Sequence, residues 1–286
     1  NNNYQYLLPG NSLYYITKAG NPGTENETEI KADYTQPLKK NIVLGVGSKL
    51  GLYDISSNSE VLKFDGPNYY SKDPYLSNSL NYHQKVYAFY TEVSFPVFKL
   101  FDAKIGERYE RTEINSYYSD AQQQAKVPGY NTFVPSIFFS KKLSDNSLLK
   151  LSYSKRIERP DYRDLNPFIN TSDPKNLSTG NSNLQPEIGK RYELGYSADI
   201  KDVGSIMINL FYRQNEHDIQ PFIVYYPSLQ VGDTTYTDVA LSTRQNIGKE
   251  NNIGLNVFGT VKLFSKLDLR TNLFFFERHT INQIDK

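Results

Sequence analysis

One device repeats along this chain and limits what it can become: runs of alternating apolar and polar residues, joined by connections that are short and long in strict turn. Tyr192, Leu194, Tyr196, Ala198 and Ile200 fall on one side of such a run, and Arg191, Glu193, Gly195, Ser197 and Asp199 on the other. The period of two returns with Ile206, Ile208, Leu210 and Tyr212, with Ile253, Leu255, Val257 and Val261, and with Leu267, Leu269, Leu273 and Phe275. Upstream copies are Ile42, Leu44, Val46 and Leu50, then Tyr87, Phe89, Val93 and Phe95, then Leu149, Leu151, Tyr153 and Ile157; weaker ones lie near 28–36, 103–113 and 131–142. Period two marks strands with one apolar face, and the pattern predicts about ten of them. The connections at 37–41, 95–100, 143–147, 201–205 and 262–266 are short, and those at 54–83, 114–130, 158–189 and 215–248 are long. Strict alternation puts every short turn at one end of the strands and every long loop at the other.

A membrane barrel is built this way, with tight periplasmic turns, long outer loops and strands of about 9–11 residues to cross the bilayer. A sandwich or propeller has no reason to keep its connections in that order. The expected fold is therefore all-β, an antiparallel transmembrane β-barrel segment that is part of a larger barrel, with a soluble all-β protein as the alternative. Composition agrees with the first: 24 Tyr and 16 Phe stand in a chain whose mean hydropathy is -0.59. Only every second strand residue meets lipid, so aromatic-rich and hydrophilic are compatible. The 32 basic and 31 acidic residues leave a net charge of +1, which gives no electrostatic case for nucleic acid as a partner. Without cysteine there is neither disulfide nor thiolate chemistry. The opening NNNYQYLLPG carries no basic n-region or apolar h-region, so the chain reads as a mature protein or an internal piece of one.

The link over 158–189 is the most distinctive stretch. Arg156 and Arg159-Pro160 are followed by Leu165-Asn166-Pro167-Phe168, then Gly180-Asn181, Leu184 and Pro186-Glu187, and the strand resumes at Tyr192-Glu193-Leu194-Gly195-Tyr196. This succession resembles the barrel of TonB-dependent outer-membrane receptors, in particular the outer-membrane β-barrel family common in Bacteroidetes; Ser182-Asn183 stand where many members have a proline. Segments 31–34, 106–110 and 133–136 resemble the same family more loosely. The physical reading of the residues is mainly structural. Pro160, Pro167, Pro174 and Pro186 fix φ and remove donors, Asn166 and Asp173 favour local turns, and Gly180 offers a place for positive φ. The expectation is a link folded back as a compact plug of turns over the barrel mouth, its residues serving the scaffold before they serve cargo.

Chemistry of other kinds is thin. His83, His217 and His279 have no partner at ligand spacing, so no metal or cofactor is expected. Asp161 with Asp164, or Glu107 with Glu110, could be read as acid and base, but Arg108, Arg111 and Arg163 stand beside them and favour ion pairs; an enzyme is not expected. Phe274-Phe275-Phe276 reads as part of an interfacial aromatic girdle. Tyr69, Tyr70, Tyr75, Tyr117, Tyr118, Tyr225 and Tyr226 lie on long links among Asn, Ser and Asp, and are the candidate cargo contacts, suited to stacking on sugars, peptides or siderophores. They are equally suited to packing large loops.

The resemblance implies a receptor that imports a bulky nutrient (siderophore, glycan or peptide) through a barrel of roughly 22 strands with a plug inside. Its partners would be outer-membrane lipid, a TonB-type energising complex acting through the plug, and a surface lipoprotein. Residues 1–286 are expected to be a partial barrel domain without plug or terminal strands. Two rivals remain: a plug-free outer-membrane barrel for adhesion or secretion, and a soluble β-rich carbohydrate-binding protein.

Overall fold

The structure, a computed structural model, describes residues 2–7, 13–66, 69–74, 76–98, 100–119, 127–264 and 267–282. Strands β1 (Asn2–Leu7), β2 (Leu13–Gly20), β3 (Gly23–Pro37), β4 (Val43–Gly66), β5 (Tyr69–Lys72), β6 (Asn78–Val97), β7 (Phe101–Ser119) and β8 (Tyr130–Phe133) come first. They are followed by β9 (Ser136–Ser144), β10 (Ser147–Glu158), the one-turn helix α1 (Tyr162–Leu165), β11 (Asn176–Ser178), β12 (Glu187–Ile200), β13 (Gly204–Val231), β14 (Thr234–Phe264) and β15 (Leu267–Asn282). The wall is β3, β4, β6, β7, β9, β10, β12, β13, β14 and β15, each antiparallel to the next. These are the strands that the alternation predicts. The remaining pieces sit above them: β2 and β5 pair with the outer end of β4, β8 with β7, and β11 with β14.

Register carries the two faces across the wall. Leu50 pairs with Tyr87, Leu151 with Leu194, Leu194 with Leu210, Leu210 with Leu255 and Leu255 with Phe275, so the apolar residues of neighbouring strands share one face. That face is bare: Phe89 is 62% exposed and Phe275 60%. In water such a surface would be an aggregation hazard; against acyl chains it is the expected solvent-facing side. The opposite, inner face carries Asp33, Lys49, Glu92, Arg108, Arg191, Glu193, Asn209 and Asn256, with ion pairs such as Lys104–Glu92 at 2.8 Å and Arg191–Glu193 at 2.5 Å.

Short connections close one end. β9 and β10 are joined by Asp145-Asn146 alone, β6 and β7 by residues 98–100, and β12 and β13 by residues 201–203. Phe98 and Asp202 take positive φ in these turns, and Lys40 and Asn41 do so in the connection of residues 38–42 between β3 and β4, the left-handed step that lets a strand reverse within a few residues. At Gly204, φ is +148°, and an added Cβ would lie 1.8 Å from the Thr260 carbonyl oxygen, so only glycine fits.

The long connections are not the loops that the sequence suggests. Most of 54–83 and 215–248 is strand, and so is the start of 114–130: β4 continues to Gly66, β7 to Ser119, and β13 and β14 run on as a hairpin closed at Gly232-Asp233. The alternation fades there because both faces are wet, while the backbone ladder needs no apolar side to persist. Phe274-Phe275-Phe276 also differs from expectation. Phe275 faces outward beside Leu255, but Phe274 lies on the inner face opposite Asn256 and stacks on Phe211 at 5.6 Å. Gly254 makes room for that Phe211 ring, since a Cβ there would meet its Cζ at 2.5 Å.

β3 and β15 are the two edges of the wall, and neither has a further partner among the described residues. An unpaired edge cannot stand in hydrocarbon, so this wall is a segment of a larger barrel.

Candidate functional site

Residues 159–186 leave β10, cross the inner side of the wall and return to β12. They form a strap, and its geometry follows from three anchors. The first is charge. Arg159 reaches Glu110 and donates through Nε and Nη2 to the Thr112 hydroxyl, at 3.2 and 3.1 Å. Glu110 also accepts from Arg108 at 2.5 Å, and its side chain is only 7% exposed, so two guanidiniums hold one nearly buried carboxylate. Such a pair stabilises only when complete, because either partner left alone is a desolvated charge.

The second anchor is packing. Leu165 and Leu184 of the strap join Ile55, Leu80, Tyr82, Tyr118 and Val127 in one buried cluster. Ile55, Leu80, Tyr82 and Tyr118 come from the inner faces of β4, β6 and β7, which places the strap inside the curve of the wall. The Tyr162 ring lies 6.2 Å from that of Tyr82, whose hydroxyl is pushed well above the ordinary tyrosine range by burial. Above the lipid-facing band this cluster takes the place of a hydrophobic core.

The third is backbone. Asp161 caps α1, accepting from Arg163 N at 2.9 Å, and the Arg163 side-chain hydrogen bond holds the Asp161 carboxyl below its usual range. Asn166 Oδ1 accepts from Phe168 N at 3.0 Å, the Pro167 carbonyl from the Thr179 hydroxyl at 3.0 Å, and the Asn166 carbonyl from Gly180 N at 2.8 Å. Gly180 is required here by close approach and not by positive φ as expected: a Cβ would stand 2.5 Å from Asn166 O and 2.6 Å from Asp164 O. Asn181 donates to Arg244 O at 3.0 Å, Gln185 N donates to Asn246 Oδ1 at 2.8 Å, and β11 adds to the free edge of β14 beside residues 240–242. The strap is thus tied at one side to β7 and at the other to β14.

The remaining motif residues sit where it rejoins the wall. Pro160 is buried, Pro186 lines a cavity, and Glu187 Oε1 accepts from Ile219 N at 2.7 Å. Burial, with the nearby carboxylates of Asp218, Glu158 and Glu250, raises the Glu187 pKa. Tyr192 faces outward between Tyr153 and Tyr212, Glu193 faces inward to Arg191 and Asn209, and Gly195 lies opposite Asn209. Arg156 lines an inner cavity of about 430 Å³ with Glu158, Glu187, Arg191 and Arg213.

The tyrosines are dispersed. Tyr69 is 62% exposed and Tyr225 62%, Tyr70 and Tyr117 are exposed, and Tyr226 is half-buried on β13. Tyr118, at 3% exposure, belongs to the cluster under the strap, since inner-face parity turns it away from solvent. Tyr75 lies outside the described residues. Asp161 and Glu110 pair with Arg163 and Arg108, whereas Asp164 turns to Arg244 at 3.4 Å and Arg111 to Glu113 at 3.4 Å. His83 meets Asp54 at 2.5 Å and His279 meets Glu277 at 2.9 Å, and among the described residues no three metal-ligating side chains converge. The link from Arg159 to Glu110, 49 positions apart, and the roles of Arg244 and Asn246 leave no local signal in the sequence.

Comparison with known proteins gives the following. Residues 1–286 match the model of the outer membrane protein beta-barrel family. No curated protein matches. Similar solved structures include a mutant of the ferric enterobactin receptor from Pseudomonas aeruginosa in complex with enterobactin (16% identity, TM-score 0.60) and the ferric yersiniabactin uptake receptor FyuA from Yersinia pestis (14%, 0.58). The ferric citrate transporter FecA is a third (15%, 0.62). The similarity covers 94%, 93% and 94% of this chain, and the chain spans 37% of the length of each of those proteins. At such identities the likeness is one of fold.

Proposed function

The chain belongs to the outer membrane protein beta-barrel family and lies in the bacterial outer membrane, and from that premise we propose that it is part of the wall of a gated receptor importing a bulky nutrient. The observation that carries the reading is the strap. A barrel that served only as an anchor would have no need of a link held inside its mouth by a buried ion pair, an apolar cluster and an added strand. The polar inner face supplies a surface on which a plug domain can seat and move, and a TonB-type complex would act on that plug. In this reading residues 1–286 are a partial barrel domain of the Bacteroidetes type that its motif succession resembles. Arg159, Pro160, Leu165, Asn166, Pro167, Phe168, Gly180, Asn181, Leu184, Pro186 and Glu187 hold the strap, and Tyr69, Tyr70, Tyr117, Tyr225 and Tyr226 are the aromatic groups free to meet a siderophore, glycan or peptide, with or without a surface lipoprotein. The fold-level likeness to ferric siderophore receptors supports the class without choosing the cargo.

Deleting the gene and growing the cells on single scarce nutrients tests this. Lost growth on one bulky nutrient, reproduced when the energising complex is removed, is the expected outcome. Normal growth on all of them with lost surface attachment would replace import by adhesion.

A further inference from the structure

The outer rim of the wall is not level. β6 begins at Asn78, β7 runs to Ser119, and β13 and β14 meet only at 231–234, but β9 begins at Ser136, β10 stops at Glu158 and β12 begins at Glu187. Above β9 and β10 the wall is therefore cut into a notch. In it lies a cavity of about 660 Å³ whose lining includes Tyr130, Phe133, Lys155, Leu184, Pro186 and Ile188.

Register shows which way the notch opens and how high it sits. Phe133 pairs with Tyr109, which pairs with the outward Phe89; Lys155 pairs with Lys190 and Ile157 with Ile188, two and four residues beyond the outward pair Tyr153–Tyr192. Tyr153, Tyr192 and Tyr212 stand side by side, with ring centroids 4.9 and 6.1 Å apart, and such an outward row marks the boundary between acyl chains and headgroups. One step of two residues advances about 7 Å along a strand, so Lys155 and Lys190 stand at headgroup level in the outer leaflet. They are also like charges directly opposite each other, an unfavourable pairing unless something anionic lies between. Lys190 meets Glu216 at 2.8 Å, a carboxylate it shares with Lys249 at 3.9 Å, while the Lys155 ammonium has no ion-pair partner among the described residues.

We propose that the notch seats the phosphorylated headgroup of a glycolipid of the outer leaflet. Lys155 on the cavity's lining and Lys190 opposite it in register, the latter outside the lining and already paired with Glu216, take the phosphate monoester between them, a charge match that lysines near a membrane surface provide. The outward row Tyr153, Tyr192 and Tyr212, one step nearer the membrane centre than the lysines, borders the upper acyl chain. The cavity is far larger than a phosphate needs, and Asn131, Asn183 and Gln185 on its lining offer amides to a sugar. The two lysines face outward, while Tyr130, Thr132 and Leu184 close the cavity on its inner side, so the charged half of the site stands whatever the barrel imports.

The test uses the full-length protein that contains this chain, purified in detergent and delipidated. Retained lipid is read by native mass spectrometry and the thermal midpoint is followed with diphosphoryl lipid A, its dephosphorylated form, phosphatidylethanolamine or inorganic phosphate added. Diphosphoryl lipid A alone should be retained and raise the midpoint, Lys155→Gln with Lys190→Gln should weaken its binding about tenfold or more, and Lys85→Gln, an outward lysine away from the notch, should change nothing. Should the double variant lose its β signal, Lys155→Gln alone, which keeps the Lys190–Glu216 pair, gives the same reading. Equal retention by the lysine variants, or equal stabilisation by the dephosphorylated lipid or phosphatidylethanolamine, overturns the proposal. A full effect of inorganic phosphate alone overturns it too, in favour of a soluble anion.

Discussion

Two long links of this wall, 159–186 and 215–248, leave the lipid band at nearly the same height and meet opposite fates. The second stays in register as a hairpin, with Ile223 on Ser242, Tyr225 on Ala240 and Val231 on Thr234. The first abandons the sheet, folds inward and ties itself to β7 and β14. Length does not separate them, and neither does polarity. What separates them is the supply of backbone donors and β-branched residues. Link 215–248 offers Ile219, Ile223, Val224, Thr234, Thr235, Thr237 and Val239, which suit a pleated ladder. Its prolines, Pro221 and Pro227, fall where β13 has already outrun β12, whose pairing ends at Ile188 with Glu216, and a strand with a free edge tolerates proline. In 159–186 four prolines interrupt the ladder before it can form, and Asp161, Asn166, Asp173 and Asn181 accept the backbone donors that remain.

If the strap is a separately anchored unit, removing its anchor should free it and leave the hairpin untouched. Arg159→Ala strands Glu110 with Arg108 alone, and breaking one side of a nearly buried pair costs on the order of 3 kcal/mol. Hydrogen exchange should then quicken through 160–166 while 222–241 keeps its protection. Equal loosening of both would show that strap and hairpin are one cooperative unit, and the contrast drawn above would fail.

A smaller effect is expected from Gly180→Ala, which attacks the strap from within. The new methyl would press on three backbone atoms of residues 164 and 166 within 2.8 Å, with no flexible side chain to yield. Overpacking of this kind costs about 1–3 kcal/mol. A crosslink between strap and β14, formed efficiently in the parent, should form more slowly in the variant. Unchanged crosslinking would mean that the Asn166–Gly180 contact is looser than the geometry implies.

How much of this was legible beforehand follows from the same comparison. The ten wall strands and their faces are written in the alternation because lipid on one side and water on the other impose it residue by residue, from Leu44 to Phe275. The compactness of 159–186 was legible too, from prolines and Asx residues that act over two or three positions. The hairpin was not, since a wet strand carries no contrast between faces. Nor were the anchors of the strap: Arg159 finds Glu110, and Asn181 finds Arg244, only after the wall has curved, and no local pattern encodes a meeting across 49 or 63 positions. Tyr118 shows the limit well. Its neighbour Tyr117 is exposed and it is buried, a difference that rests on strand parity beyond the point where parity could be read.

The subtlest expected effect concerns pH at the joint between strap and hairpin. Glu187 accepts from Ile219 N, so it links the end of one link to the start of the other, and burial together with Asp218, Glu158 and Glu250 raises its pKa above the ordinary 4.5. A raised carboxylate binds its proton more readily in the folded joint than in the open one. Stability at residues 217–220 should therefore rise as pH falls through the raised value towards 4.5, and gain nothing more below that. Asp161 behaves in the opposite sense: its lowered pKa means that the cap on α1 is intact above 3.8 and is lost as pH falls below it. Protection factors, corrected for intrinsic exchange, should accordingly rise first at 217–220 and fall later at 162–166 as the medium is acidified. Glu187→Gln should abolish the first change and leave the second. A parent protein in which both segments weaken together on acidification would mean that the carboxylates around Glu187 are better solvated than their burial indicates, and that the two links answer to one electrostatic environment after all.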